Sequence, residues 1–184
     1  RCLTDGVTRT GITTMLMDAG MDTGAMLLKY ETPVSLWDNA DRLAAKLAVE
    51  GANLLIDTLV DLDRITPTPQ EHLAATFAPP IQKSEYTIDW TRSSISLHNQ
   101  MRGFYPHCVA TFRAQPLKMP ATAPLAVDFQ SDLPPEIQKL LPDIASLDLS
   151  TSLPGTVVKI AKKLGPIIQT GSGCLLLCEV QLAG

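Results

Sequence analysis

The residues best suited to chemistry lie in one short loop, in which an aspartate stands between two glycines. The loop reads Gly20-Met21-Asp22-Thr23-Gly24. A carboxylate in such a loop is a candidate for acid–base or electrostatic work. The glycines would let the loop backbone come close to a bound ligand, because no side chain stands in the way. Asp-Thr-Gly is also a common turn, and in that reading Asp22 bonds only to its own backbone.

A second group of candidates consists of basic side chains in the second half of the chain. Residues 82–184 carry 9 Lys and Arg against 8 Asp and Glu, but residues 127–152 hold five of those acids and only one of the bases. The remainder is therefore basic, and such a surface attracts phosphates without reading bases. A solvated charged surface is the competing interpretation. The candidate phosphate-contacting residues are Lys83, Arg102, Arg113, Lys118, Lys159, Lys162 and Lys163.

Two candidates have a structural alternative. Arg102, in the sequence Arg-Gly-Phe-Tyr-Pro, is equally suited to binding carbonyl groups inside the fold. Asp18 ends a strand-like run, and we expect it to cap the turn that follows. The four cysteines lack paired C-x-x-C spacing, so we expect reduced, mostly buried thiols and no metal site.

The elements that must position the Asp22 loop are two strands and a helix. Residues 10–18 and 25–34 are rich in β-branched and apolar side chains and predict strands on either side of the loop. Ser35, with Asp38 three residues later, predicts the N-terminal cap of a helix. Apolar residues at helical spacing continue to Leu62, and Gly51 predicts either two helices or one that is broken there.

The second half of the chain predicts a small β domain. Prolines in residues 66–84 exclude regular helix and central strand, so this segment is predicted to be a linker. A short helix is predicted for residues 93–103, and five short strands with Gly and Pro turns after it indicate a small barrel or sandwich. Proline-rich residues 120–154 are predicted to be a long surface excursion.

Several motifs together resemble a known family. TGITTMLMDAGMDTG followed by AMLL resembles the last part of the formyltetrahydrofolate-dependent formyltransferase domain, and the likeness continues through GANLLIDTLVDL and MRGFYPHCVATF. Combined with IDW, PGTVV and the GSG-containing strand, it points to the methionyl-tRNA branch of that family. The resemblance implies an α/β fold in residues 1–65, which would be the C-terminal part of a Rossmann-like formyltransferase domain. A linker at 66–84 and a small OB-like β-barrel domain at 85–184, with an insertion at about 120–154, would follow.

The resemblance also implies a function. Asp22 would be catalytic, residues 20–24 would bind the co-substrate 10-formyltetrahydrofolate, and Lys83, Arg102, Lys118, Lys159, Lys162 and Lys163 would contact initiator methionyl-tRNA. No metal is expected, and the full-length enzyme is expected to be a cytoplasmic monomer. The family's Asn, His and serine-leucine-leucine-proline loop are not found in this sequence, and His72, His98 and His107 do not match the catalytic histidine. We therefore expect the chain to be a piece of the enzyme that is inactive alone, with apolar surface exposed in residues 1–65.

Two other functions remain open at this stage. The chain could belong to another formyltetrahydrofolate-dependent formyltransferase or hydrolase, since these share the aspartate loop. It could instead be a non-catalytic RNA-binding barrel. No apolar run approaches the roughly 18 residues that a membrane-spanning helix needs, and the N-terminus has no secretion signal pattern.

Overall fold

The computed structural model describes residues 1–182, which form two compact units. The first unit is Val7–Pro80, and the second comprises Arg1–Gly6 together with the chain from Ile81 onward. The last two residues of the predicted 85–184 domain lie outside the described residues. Within the described part of the chain, no helix is both long enough and apolar enough to cross a membrane.

The first unit is a β-hairpin covered by one helix. Strands β1 (Arg9–Met15) and β2 (Met26–Pro33) pair antiparallel, with Ile12 opposite Tyr30, and helix α1 (Ala40–Val60) packs on them. Side chains on β1 alternate between half-buried and exposed, as expected for a strand with one covered face. Both predicted strands are confirmed, each slightly shorter than predicted.

Helix α1 runs without interruption through Gly51, so the predicted break there is wrong. A Cβ at this position would lie 3.0 Å from Cδ1 of Ile12 on β1. The glycine therefore serves close packing of the helix on the strand and does not end the helix, and its flexibility is outweighed by the tertiary contact.

The start of α1 also differs from the prediction. Asn39 is the N-terminal cap, and its Oδ1 accepts from the Arg42 backbone N–H at 2.9 Å. The predicted Ser35–Asp38 pair does form, because the Ser35 N–H donates to Asp38 Oδ2 at 2.8 Å. That pair closes a turn that precedes the helix.

An apolar stripe on α1 is exposed, as expected for residues 1–65. Leu55, Ile56 and Leu59 are 52%, 60% and 63% exposed. They lie away from Leu43 and Thr58, which are buried. The helix thus has two faces able to pack on other elements, one of which is occupied in the first unit.

The second unit is built on an antiparallel sheet. Its strands are β3 (Val109–Phe112), β4 (Gln115–Leu125), β5 (Val157–Ala161), β6 (Gly165–Gln169) and β7 (Cys174–Leu182), in the order β3-β4-β7-β6-β5. Helix α2 (Ser94–Gly103), predicted at residues 93–103 and capped by Ser93, packs on β4 and buries Leu97 and Met101. Within residues 1–182 no pairing joins β3 to β5, so the strands form an open sheet and the OB-like barrel is not confirmed.

The first part of the predicted surface excursion is a buried strand. Residues 120–125 form the end of β4, where Ala123 is fully buried. Among the described residues, the pairing of β3 with β4 ends at Lys118. Beyond that point one side of β4 has no partner strand, so a proline, which lacks an N–H, costs no strand-to-strand hydrogen bond there. The rest of the excursion contains a 3-10 turn (Val127–Asp132) and the short helices α3 (Pro135–Gln138) and α4 (Leu141–Ala145).

Candidate functional site

The Asp22 loop connects β1 to β2, and its ends are closed by a hydrogen bond. The Leu16 N–H donates to the Ala25 carbonyl at 2.9 Å. Between these residues Asp22 is exposed and has a φ of 56°. Residues other than glycine rarely adopt this left-handed backbone conformation, so the surrounding loop must hold it in place.

The two glycines of the loop are required by contacts within it. A Cβ at Gly24 would lie 1.6 Å from the Leu16 carbonyl oxygen, and one at Gly20 would lie 2.2 Å from Thr23 Oγ1. Any side chain at Gly24 would therefore collide with the backbone of Leu16, the residue that follows β1. The glycines therefore allow parts of the loop to pack closely on one another. This structural role differs from the one suggested by the sequence, in which they let the backbone approach a ligand.

The local turn bonds come from Asp18, as predicted. Its Oδ1 accepts from the Gly20 N–H at 3.0 Å and from Thr23 Oγ1 at 2.7 Å. The turn-forming role that the sequence alone allowed for Asp22 is thus performed by Asp18. The carboxylate of Asp22 lies on the exposed side of a loop that another acid organises.

A glutamine from the predicted linker supports the loop from the other side. Gln70 Nε2 donates to the carbonyl oxygens of Asp22 and Gly24, each at 2.8 Å. The strand-like segment before it is attached to β2, because Thr68 and Met26 exchange two backbone hydrogen bonds of 2.8 Å. Sequence reasoning missed Gln70, since a single glutamine in a proline-rich segment carries no periodic signal.

An open depression lies beside the loop. It has a volume of about 380 Å³ and is lined by Met15 and residues 17–22. Met17 and Met21 are 91% and 90% exposed. Methionine sulfur packs favourably against aromatic rings, so this surface offers flexible apolar contacts next to a carboxylate.

The predicted basic residues differ in their accessibility. Lys83, Lys162 and Lys163 are exposed, and the last two occupy the β5–β6 turn. Lys118 is half-buried on β4. Arg102 is only 9% exposed and its Nε donates to Asn99 Oδ1 at 2.9 Å, which favours the structural interpretation of this residue.

Lys159 is engaged in an ion pair. Its Nζ lies 2.6 Å from Oδ2 of Asp143, which belongs to the acidic insertion, residues 127–152. The charge of Lys159 is thereby partly balanced by Asp143 of the insertion. Lys162 and Lys163 follow the last residue of β5.

Topology brings two hairpin turns to the same end of the sheet. Strands β4 and β6 both pair antiparallel with β7, so they run in the same direction, and each is preceded by a hairpin turn. The β3–β4 turn contains Arg113, whose guanidinium lies 5.2 Å from the ring centre of Phe112. The β5–β6 turn contains Lys162 and Lys163. Both turns therefore lie at the end of the sheet where β7 terminates. Glu179 is the acid of β7 that lies closest to this end.

Two histidines and one thiol have structural environments. His98 is 3% exposed, with Nδ1 2.9 Å from Thr122 Oγ1, and His107 stacks on Tyr86 with ring centres 5.3 Å apart. Burial raises the pKa of the Cys108 thiol to about 12, so it is a neutral core group at physiological pH. The prediction of mostly buried thiols holds for Cys108 and Cys174, whereas Cys178 is exposed.

Comparison with known proteins gives matches along both units. Residues 80–184 match the model for the formyl transferase C-terminal domain, and residues 1–59 match the model for formyl transferase. The chain is 57% identical over 185 residues to methionyl-tRNA formyltransferase of Nostoc sp., covering 100% of this chain and 54% of that protein. It is 53% identical over 181 residues to the methionyl-tRNA formyltransferase of Trichodesmium erythraeum, covering 97% and 54% respectively. The chain thus spans about half the length of the curated relatives that it matches.

Solved structures share the fold at much lower identity. The N-formyltransferase of Helicobacter canadensis superposes with a TM-score of 0.65 at 14% identity, over 99% of this chain and 59% of that one. HypX from Aquifex aeolicus in complex with tetrahydrofolic acid gives a TM-score of 0.62 at 14% identity, over 100% and 29%. These likenesses support the fold of the chain and not its substrate.

Proposed function

Because this chain belongs to the formyl transferase family, we propose that the complete protein transfers a formyl group from 10-formyltetrahydrofolate to the amino group of initiator methionyl-tRNA. Relatives that are 45–57% identical bear the name of that enzyme, which favours this acceptor over an amino sugar. The observation that carries the proposal is the exposed Asp22 in a loop that Asp18 and Gln70 hold in place. Such an enzyme would work as a cytoplasmic monomer.

The reaction sets two chemical requirements. The amine attacks the formyl carbon, the carbonyl electron pair moves to oxygen, and the attacking nitrogen loses a proton. The oxygen electron pair then re-forms the carbonyl as the bond to the folate nitrogen breaks, and that nitrogen takes up a proton. An oxyanion donor and a proton acceptor are therefore needed. We propose that a histidine accepts the proton. Asp22 would orient this histidine and stabilise its positive charge. Neither His98 nor His107 suits that histidine's role, because Thr122 and Tyr86 engage them in the second unit.

The co-substrate would lie beside the loop. Residues 20–22 line the depression of about 380 Å³, and Thr23 and Gly24 complete the same turn. The exposed Met17 and Met21 can pack against a pterin or benzoyl ring, while the Asp22 carboxylate borders the polar side. No metal is needed for this chemistry.

The second unit would bind tRNA through phosphates. Exposed Lys162 and Lys163, together with Arg113 and Lys118, lie on the strands and turns at one end of the sheet, and Lys83 is exposed near the start of the unit. Long cations at such positions contact a phosphate backbone without base specificity. Lys159 and Arg102 are weaker members of the set, because of the Asp143 ion pair and the burial described above.

The decisive experiment is the substitution Asp22→Asn in the complete protein. We expect the rate of formyl transfer to methionyl-tRNA to fall about 10²- to 10⁴-fold, the range for loss of acid–base assistance. Binding of the tRNA should change little, because the cations proposed to contact it are in the other unit. Asp63→Asn, which neutralises an exposed acid of the same unit, is the matched control and should keep full activity.

Two outcomes would contradict the proposal. Undiminished formyl transfer by Asp22→Asn would remove Asp22 from the site. Formylation of an amino-sugar nucleotide, with none of methionyl-tRNA, would assign a different acceptor. Residues 1–184 produced alone should show no formyl transfer, because the histidine and the oxyanion donor would be lacking.

A further inference from the structure

We propose that Gln70 is a positioning residue for Asp22, and that it holds the catalytic loop by its side-chain amide. This inference rests on the proposed function, since it assigns how the loop of that site is kept in its working geometry. Gln70 lies 48 residues beyond Asp22 in sequence, and its Nε2 donates at 2.8 Å to the carbonyl of Asp22 itself.

The chemistry of a primary amide suits this position. Its nitrogen carries two N–H groups, and Gln70 uses them on two carbonyls, those of Asp22 and Gly24. One side chain thereby fixes two peptide planes of the loop, the one between Asp22 and Thr23 and the one between Gly24 and Ala25. Bonding the Asp22 carbonyl constrains ψ at the residue whose φ of 56° is unusual, and so constrains the direction of its carboxylate.

Gln70 is itself held in place. Thr68, two residues earlier, exchanges two hydrogen bonds with Met26 at the start of β2, and Pro69 restricts the backbone between them. The side chain is half-buried, and its Nε2 also lies 3.9 Å from Met15 Sδ. The loop and its support are therefore attached to the same two strands, so the geometry does not depend on a mobile surface group.

A positioning role makes a specific kinetic prediction. Displacing a catalytic group by about 1 Å can lower a rate about 100-fold without loss of substrate binding. Removing the two N–H donors should therefore lower kcat, while the KM for methionyl-tRNA is unchanged. A residue needed only for folding would instead reduce the amount of active enzyme and leave the kcat of the folded fraction unaltered.

The test uses the complete protein with Gln70→Glu, a substitution that keeps the shape but replaces the donors with an acceptor. We expect kcat per active site to fall about 10- to 100-fold, with the KM for tRNA within about twofold of the original and the Tm little changed. Gln70→Ala, which adds no charge, should give a similar fall and serves if Gln70→Glu does not fold. Gln130→Glu, the same change at an exposed position in the other unit, is the matched control and should keep normal kcat.

A double variant separates positioning from other effects. If Gln70 acts through Asp22, then Gln70→Glu should lower kcat by less than about twofold once Asp22→Asn is present. Equal, additive losses in both backgrounds would overturn the inference, as would an unchanged kcat in both Gln70 variants. Those results leave the proposed function intact if Asp22→Asn alone shows the expected fall in formyl transfer. Undiminished formyl transfer by Asp22→Asn would instead remove the catalytic role of Asp22, and with it this inference.

Discussion

At the scale of single residues, Glu85 has the most strongly shifted carboxyl group in the described chain. The Arg1 guanidinium bonds both of its oxygens, at 2.5 and 3.0 Å, and the Gln82 N–H donates to Oε2 at 2.7 Å. The Arg1 hydrogen bond, and then the Gln82 one, lower the pKa of Glu85 to about 2. The ionised carboxylate thus ties the first residues of the chain to the second unit.

The pH dependence of this contribution has a defined sign. Because the folded-state pKa lies below the ordinary value of 4.5, Glu85 adds stability that is complete above about pH 4.5 and is lost as the pH falls towards 2. Glu85→Gln should therefore be less stable than the original protein at pH 7, and the difference should shrink between pH 4.5 and 2. Urea unfolding at a series of pH values measures it. Glu136→Gln, at an exposed glutamate, should show no such pH-dependent difference, and a constant gap for Glu85→Gln would contradict the assignment.

Sequence reasoning at this scale succeeded where a local pattern sufficed. The capping role of Asp18 is determined by neighbours within five residues, and the glycines that mark the Asp22 loop lie close to Asp22 in sequence. The roles of Gln70 and Arg102 depend on which groups the fold brings near them. A glutamine 48 residues from its partner, and an arginine buried at the end of a helix, have no local signature.

At the scale of elements, three segments of the first unit are joined by a chain of hydroxyl groups. Thr58 Oγ1 donates to the Leu54 carbonyl within α1 at 2.6 Å and lies 2.8 Å from Thr14 Oγ1 on β1. Thr14 Oγ1 in turn accepts from the Leu28 N–H of β2 at 3.1 Å. Thr58 is only 3% exposed, so these bonds are shielded from water.

Replacing Thr58 with valine tests this link. The substitution keeps the shape and removes the two bonds of the hydroxyl, while Thr14 Oγ1 keeps its bonds to the Leu28 backbone. We therefore expect the first unit to lose about 1–3 kcal/mol of unfolding free energy. Amide hydrogen exchange of the α1 backbone measures that loss. Thr13→Val, one residue away on the exposed face of β1, should change stability by less than about 0.5 kcal/mol. Equal effects of the two substitutions would show that the buried hydroxyl contributes nothing.

The errors in predicting the elements also arose from contacts that the fold creates and that the local sequence does not show. Gly51 and the β4 prolines are breakers in isolation, yet α1 continues through Gly51 against Ile12, and β4 has a side without a ladder at its proline-rich end. The two strands beside the Asp22 loop and the helix at residues 93–103 were located correctly because their patterns of apolar residues are local, whereas α3 and α4 were not predicted. Whether the sheet closes into a barrel depends on how its edge strands pair, which those patterns do not encode.

At the scale of the whole molecule, the sheet of the second unit separates charge along the strand direction. Lys162, Lys163 and Arg113 lie in turns at the end where β7 terminates. The acidic insertion leaves β4 at Leu125 and returns to β5 at Val157, both at the opposite end. Such a separation gives a polyanion one preferred end from which to approach.

The salt dependence of tRNA binding tests this arrangement in the complete protein. Lys162→Ala combined with Lys163→Ala should weaken binding at low salt and reduce the slope of log K against log salt concentration by about 2. Lys139→Ala, at an exposed lysine within the acidic insertion, should leave the slope unchanged. Filter binding at several salt concentrations measures both, and an unchanged slope in the double variant would place the tRNA on another surface.

The attachment points of the insertion also bear on how such proteins can diverge. A segment that leaves and rejoins a sheet at one end can lengthen, shorten or change its charge during evolution without altering the turns at the other end. The Lys159–Asp143 ion pair links the insertion to β5, and Gln169 of β6 donates to the Leu149 carbonyl of the insertion at 3.3 Å. Relatives can therefore be expected to vary most in this segment while the opposite hairpin turns keep their lengths.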